Sequence, residues 1–181
     1  ERCICCSFIL LAGASARFSR NNLRHGLPVL AAGLIVELGA AIAGQTIRWG
    51  VLMLLGSSMV LWHFLGKGLQ RLPGWSVAAG SGILFFAARW WTGRTAVSVP
   101  WLYPLGFISP GFYSADYFPL LPWFFLFLTG TALGGWCLAH RENRLLTVSL
   151  PGVLTWPGRH SLIIYVLHQP VLYGISYLIW R

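Results

Sequence analysis

The sequence predicts an all-α, multi-pass transmembrane helix bundle of about six spans, the first of them partial. Three observations carry that prediction. Of 181 residues, 56% are hydrophobic and only 9% charged. The 13 Lys and Arg residues gather in short clusters between apolar runs. Most of those runs approach the ~20 residues that cross about 30 Å of hydrocarbon. Soluble domains carry roughly a quarter charged residues. Four acidic residues in the whole chain leave too little polar surface to coat a water-soluble globule. The same apolar content excludes disorder. A net charge of +9 and a pI near 10.2 would suggest nucleic acid in a soluble protein. Basic clusters that flank apolar runs instead mark loops facing an anionic leaflet, so the expected partner is the lipid bilayer and no nucleic acid.

The first run, about residues 3–18, is short for a span and follows Glu1 with neither an initiator Met nor a signal-peptide pattern. The expectation is a single membrane-embedded domain over residues 1–181, truncated at its N-terminus. The second span, about 27–44, holds Glu37 near its centre, and the third, about 49–65, is uncharged apart from His63. The fourth covers about 74–88. Residues 89–119, rich in Pro, Gly, Trp and Tyr, are too long for a plain connector and form the candidate functional loop. The fifth span, about 120–139, carries Gly130 and Gly134 in a small-xxx-small spacing that lets a neighbouring helix approach closely. The sixth covers about 159–180.

Alternate loops divide the basic residues unequally. Arg17, Arg20, Arg24, Lys67, Arg71, Arg141, Arg144 and Arg159 fall on one side, against Arg2, Arg48, Arg89, Arg94 and Arg181 on the other. The positive-inside rule puts the first group in the cytoplasm and the 89–119 loop on the extracytoplasmic face. Trp49, Trp90, Trp91, Trp101 and Trp180 then sit near the outer interface.

Ionisable groups inside lipid cost on the order of 2.5–3.5 kcal/mol each, so Glu37 and His168 should face the bundle interior. His168 lies about 13 Å into the last span at 1.5 Å per residue. Pro170 beside it frees the Val166 carbonyl, so a kink there could line a cavity. Interhelical hydrogen bonding explains the histidine equally well. Glu37 has no local partner and can stand protonated. The cluster Ser19-Arg20-Asn21-Asn22-Leu23-Arg24-His25 reads either as an ordinary positive-inside loop or as a phosphate site, since planar guanidinium forks match phosphate oxygens. Asp116 could cap a helix, pair with Arg89 or Arg94, or bind an acceptor. Cys137 and His140 have a C-x-x-H spacing with too few companions for a metal, and no metal site is expected. No phosphate-cradling glycine loop, G-x-S-x-G elbow or H-E-x-x-H string occurs.

Three stretches taken in order, FILLAGASARFSRNNLRHG (8–26), FYSADYFPLLPWFFLFLTGTALG (112–134) and GRHSLIIYVLHQPVL (158–172), resemble one family. They are similar to bacterial members of the heparan-α-glucosaminide N-acetyltransferase catalytic-domain family, within the wider group of transmembrane acyltransferases. The strings S-A-D-Y-F-P-L-L-P-W and G-R-x-S-L-x-I-Y-x-x-H-Q-P carry the resemblance, and order and spacing fit along almost the whole chain. It implies transfer of an acetyl or other acyl group from cytoplasmic acyl-CoA to an extracytoplasmic acceptor, an amino sugar or glycan. Acetyl-CoA would be a co-substrate, with no tightly bound cofactor.

By the same resemblance Arg20, Asn22, Arg24 and Arg159 would hold the CoA. Asp116, Tyr117, Trp123 and Gln169 would meet the acceptor. His168 and Asp116 are the candidate catalytic groups, and Ser161 is a further motif position. The family's first helix, with a basic residue followed by a histidine that would act as general base or acyl carrier, is expected upstream of Glu1. The implied location is a bacterial inner membrane, with homo-oligomerisation left open. A membrane carrier is the alternative, motivated by Glu37 and His168. A catalytically inactive scaffold fragment is a third.

Overall fold

The computed structural model describes residues 2–42, 44–94, 99–140, 142, 152–160, 163, 164, 167, 175 and 179. They fold into α1 (Arg2–Phe18), α2 (Asn22–Ile42), α3 (Val51–Leu69), α4 (Gly74–Thr92), a 3-10 helix (Pro100–Leu105), α5 (Leu120–Ala139) and α6 (Gly152–Arg159), with no strand among the described residues. The expected all-α membrane bundle is what the chain forms. Three helices, α2, α3 and α5, are long and apolar enough to cross a membrane, and Cys5–Phe18 is a shorter apolar helix. α4 has the length, at 19 residues, but its Ser, Gly, Trp and Arg content keeps it out of that set. On α2 the side chains of Leu34, Ile35, Leu38 and Ile42 are all at least half exposed, the outward apolar surface that lipid covers. The chain divides into two compact units, Glu1–His140 and Arg141–Arg181.

In the first unit α5 is central, packed on α1 and α4, while α2 packs on α3. Lipid gives helices no hydrophobic reason to associate, so close backbone approach matters more than in water. The Gly130 and Gly134 pair supplies it. A Cβ on Gly130 would collide with the Leu10 carbonyl, one on Gly134 would lie 2.5 Å from the Ala14 carbonyl, and one on Gly13 would strike the Phe127 carbonyl. Leu10 lies against Gly130 and Ala14, one turn on, against Gly134, so α1 and α5 are parallel. α2 and α3 are antiparallel: Gly26 lies against Gly56, Met59 and Val60, and Gly33 against Met53. α4 and α5 are also antiparallel, with the Ser81 and Thr129 hydroxyls hydrogen-bonded at 2.8 Å and Phe85 set edge-on to Trp123. Ile9, Leu54, Ser58 and Phe127 are the most deeply buried side chains, where α1, α3 and α5 meet.

The helix ends depart from the sequence expectation in ways with a common cause. Cutting the chain at charges starts the second span at residue 27, but α2 begins at Asn22, because Asn21 caps it and Pro28 is accommodated inside. Glu37 is therefore five residues from the end of α2 at Ile42 rather than at mid-helix. α4 likewise continues past Arg89 to Thr92, since a terminal arginine can extend its head towards the interface. The 89–119 segment thus opens with the last turn of α4 and contains the 3-10 helix.

In the second unit α6 precedes the position expected for the last span and holds Pro157 inside it. Its turn continues through His160, whose N–H donates to the Trp156 carbonyl at 3.2 Å and whose ring stacks on Trp156. Ile163, Ile164, Leu167, Ile175 and Ile179 are helical and exposed.

Candidate functional site

The helix directions put Arg17, Arg20, Arg24, Lys67 and Arg71 at one end of the first unit, and Arg48, Arg89, Arg94 and Asp116 at the other. Each end is built around one short polar junction.

At the arginine end, three residues, Ser19 to Asn21, turn the chain from α1 into α2. The first N–H groups of a helix and its last carbonyls lack partners of their own. Two adjacent asparagines supply them. Asn21 Oδ1 accepts the Arg24 N–H at 3.2 Å and caps α2. Asn22 Nδ2 donates to the Ala16 carbonyl at 3.0 Å and to the Ser19 carbonyl at 3.4 Å, closing α1. Asn22 is buried at 6% exposure, and its Oδ1, like the Ser19 Oγ, is buried without a hydrogen-bond partner among the described residues. Arg20 and Arg24 are both exposed. The turn therefore presents two guanidinium groups on a locally fixed backbone, an arrangement suited to phosphate oxygens.

At the other end, residues 114–118 run as a strap along residues 46–51. The Ala115 N–H donates to the Thr46 carbonyl at 3.0 Å and the Phe118 N–H to the Trp49 carbonyl at 3.0 Å. Ser114 Oγ accepts the Arg48 N–H at 2.9 Å and lies 2.8 Å from the Asp116 carbonyl. Asp116 Oδ2 accepts the Val51 N–H at 3.3 Å. The carboxylate thus stands on the N-terminus of α3, where the helix dipole favours negative charge. Gly50 makes room for it, since a Cβ there would lie 2.8 Å from Oδ2. Burial pushes the Asp116 carboxyl above its ordinary 3.8, against the lowering effect of the Val51 hydrogen bond. Of the three roles open to Asp116 in the sequence, the helix cap is realised, on α3 rather than on α5, which follows it directly. Arg94 lies over the Trp90 ring, 4.3 Å from its centroid.

Tyr117 donates its hydroxyl to the Tyr103 carbonyl at 2.5 Å, tying the strap to the 3-10 helix. Burial, with Tyr103 nearby, pushes that hydroxyl up to about 12. Tyr103 stacks on Phe112, Phe112 meets Tyr117 edge-on at 4.9 Å, and Trp49 meets Tyr103 edge-on at 6.4 Å. Trp123, on the first turn of α5, packs on Phe118 and Phe85. Trp49 alone among the described non-glycine residues has a positive φ, 56°. That conformation costs a non-glycine residue on the order of 1–2 kcal/mol.

Of the residues singled out in the sequence, Arg20, Asn22 and Arg24 come together in one turn, and Asp116, Tyr117 and Trp123 share the opposite end. Gly33 contacts Met53, so the path from Asn22 along α2 and back to Val51 gives a separation of about 20 Å at 1.5 Å per residue. Arg159 ends α6 in the second unit, and its side chain is outside the described set. Ser161, His168 and Gln169 lie outside the described residues. The sequence marks the clusters that hold Asn21 and Ser114 without showing their capping and strap roles, and it does not point to Tyr103 or to the backbone of Trp49. Only Asn21 had a local signal, a capping residue ahead of an apolar helix.

The family model described as heparan-alpha-glucosaminide N-acetyltransferase, catalytic, matches residues 1–170. Comparison with curated proteins and with solved structures gives no match.

Proposed function

The chain belongs to the heparan-alpha-glucosaminide N-acetyltransferase catalytic family, a family of membrane acetyltransferases, and from that premise we propose that it moves an acetyl group from cytoplasmic acetyl-CoA to an amine or hydroxyl on the far side of a bacterial inner membrane. The observation that carries this reading is the family match over residues 1–170. It is supported by the separation of two polar junctions to opposite ends of one bundle, arginines at one and a half-buried carboxyl among aromatic rings at the other.

In this reading Arg20 and Arg24 hold the CoA phosphates by charge-assisted hydrogen bonds. Asn22 acts through the turn, fixing the backbone that carries both arginines. Asp116, Tyr117 and Trp123 face an amino-sugar or glycan acceptor. The acceptor nitrogen or oxygen attacks the thioester carbonyl, the C–S bond breaks, and the CoA thiolate takes up the proton that the acceptor gives to a base. His168 is the base this chain offers for that transfer, an imidazole being suited to proton exchange near neutral pH.

The test is vectorial transfer in sealed proteoliposomes. Acetyl-labelled acetyl-CoA supplied to one face, with glucosamine on the other, should yield labelled N-acetylglucosamine on the glucosamine side. No transfer in either orientation, or transfer only when both substrates share a face, overturns the reading.

A further inference from the structure

Trp49 is disfavoured twice by folding alone. Its backbone is in the left-handed region, which suits glycine or asparagine and strains a bulky residue. Its indole Nε1 is buried without a hydrogen-bond partner among the described residues. A tryptophan at a membrane interface ordinarily keeps its ring in apolar surroundings and its N–H in contact with water or another polar group. A phenylalanine would fill much of the same space against Tyr103 with no donor to leave unsatisfied. The residue also sits within the strap that fixes Asp116: its carbonyl accepts the Phe118 N–H, and the next two residues receive the carboxylate. Buried donors without partners and strained backbones gather where structure serves binding rather than stability.

We propose that Trp49 is a specificity-determining residue for the acceptor, its indole N–H donating to an acceptor oxygen when the aromatic cluster of Tyr103, Phe112 and Tyr117 parts around it. This rests on the reading of the Asp116 end as the acceptor face. A ring oxygen or hydroxyl of a sugar accepts such a hydrogen bond, and an acceptor lacking it leaves the donor desolvated and unpaired, which is how one buried donor discriminates.

The experiment is a glucosamine titration of the full chain in detergent, with indole nitrogens labelled and the Trp49 signal assigned by its loss in Trp49→Phe. The expected result is a saturable downfield shift of that signal, glucosamine binding about 5–10-fold weaker in Trp49→Phe, unchanged acetyl-CoA binding, and a melting temperature no lower than that of the parent. Saturable glucosamine binding with the Trp49 signal unmoved overturns the proposal and leaves the acceptor reading standing. A lowered melting temperature in Trp49→Phe with both ligands weakened equally overturns it in favour of a packing role. No saturable binding of glucosamine or of acetyl-CoA by the parent chain overturns the acyltransferase reading, and the proposal with it.

Discussion

The Asp116 carboxyl and the Val51 backbone N–H meet at 3.3 Å across 65 residues of chain. One side chain from the segment before α5 thereby completes the start of α3. Helix capping, loop placement and the electrostatics of the Asp116 end all pass through that contact.

Replacing Asp116 separates its roles. Asp116→Ala should destabilise the protein by about 1 kcal/mol, the usual loss when a helix start loses its side-chain acceptor, while Asp116→Asn keeps an acceptor and should lose less. Thermal unfolding in detergent checks this. Equal losses for Ala and Asn would assign the effect to charge alone.

The pH dependence of the same residue has a definite sign. Because burial raises the folded carboxyl above 3.8, the folded state binds more protons than the unfolded state between 3.8 and the raised value. The carboxyl's favourable contribution is then complete below 3.8 and is lost as pH rises through the folded value. The melting temperature of the parent relative to Asp116→Asn should therefore rise on acidification from neutral pH. A flat difference would contradict the burial of Asp116.

Tyr117→Phe removes the donor to the Tyr103 carbonyl and should cost about 1 kcal/mol. Since the hydroxyl titrates near 12 rather than 10.0, its contribution is complete below 10.0 and lost as pH rises through about 12. Ultraviolet titration should show one tyrosine ionising in that upper range, missing from the variant.

Glycine substitutions should split by location. Gly130→Ala drives a methyl into the Leu10 backbone and should cost on the order of 1–3 kcal/mol. Gly39→Ala and Gly80→Ala meet nothing within 4 Å and should stabilise by about 0.5–1 kcal/mol through helix propensity. Melting temperatures of the three variants decide it.

Arg20→Ala combined with Arg24→Ala should weaken acetyl-CoA binding about tenfold or more by loss of charge-assisted contacts, with membrane insertion intact. Calorimetric titration with acetyl-CoA reads this directly. Unchanged affinity would remove both arginines from the donor site.

Much of the bundle was legible in the sequence because lipid imposes a simple rule on helices. The bounds of α5 follow from its apolar run, and the spacing of Gly130 and Gly134 marks a close approach by a neighbouring helix, which the structure identifies as α1. Charge is a poor guide to the start of α2, since backbone capping by Asn21 sets it inside the basic cluster. At the candidate site, the clustering of Arg20, Asn22 and Arg24 follows from their adjacency in the chain. The cap on Val51 and the bond from Tyr117 to Tyr103 do not, since a partner 65 or 14 residues away leaves no periodic trace. The left-handed backbone of Trp49 likewise has no trace in the hydrophobic pattern.

The first unit is unevenly joined. α1, α4 and α5 form one locked block and α2 with α3 another, with far sparser contact between the blocks, where α3 meets α1 and α5. At the arginine rim two short chain connections join the blocks, residues 19–21 from α1 to α2 and residues 70–73 from α3 to α4. At the Asp116 rim the connecting segments each stay within one block, and the strap of residues 114–118 is the clasp, fastening the approach to α5 onto the head of α3 by hydrogen bonds. A case hinged on one side and clasped on the other opens at the clasp. Severing the bond at Asp116 should therefore loosen that rim first, with the arginine turn as the hinge and the packing of either block kept.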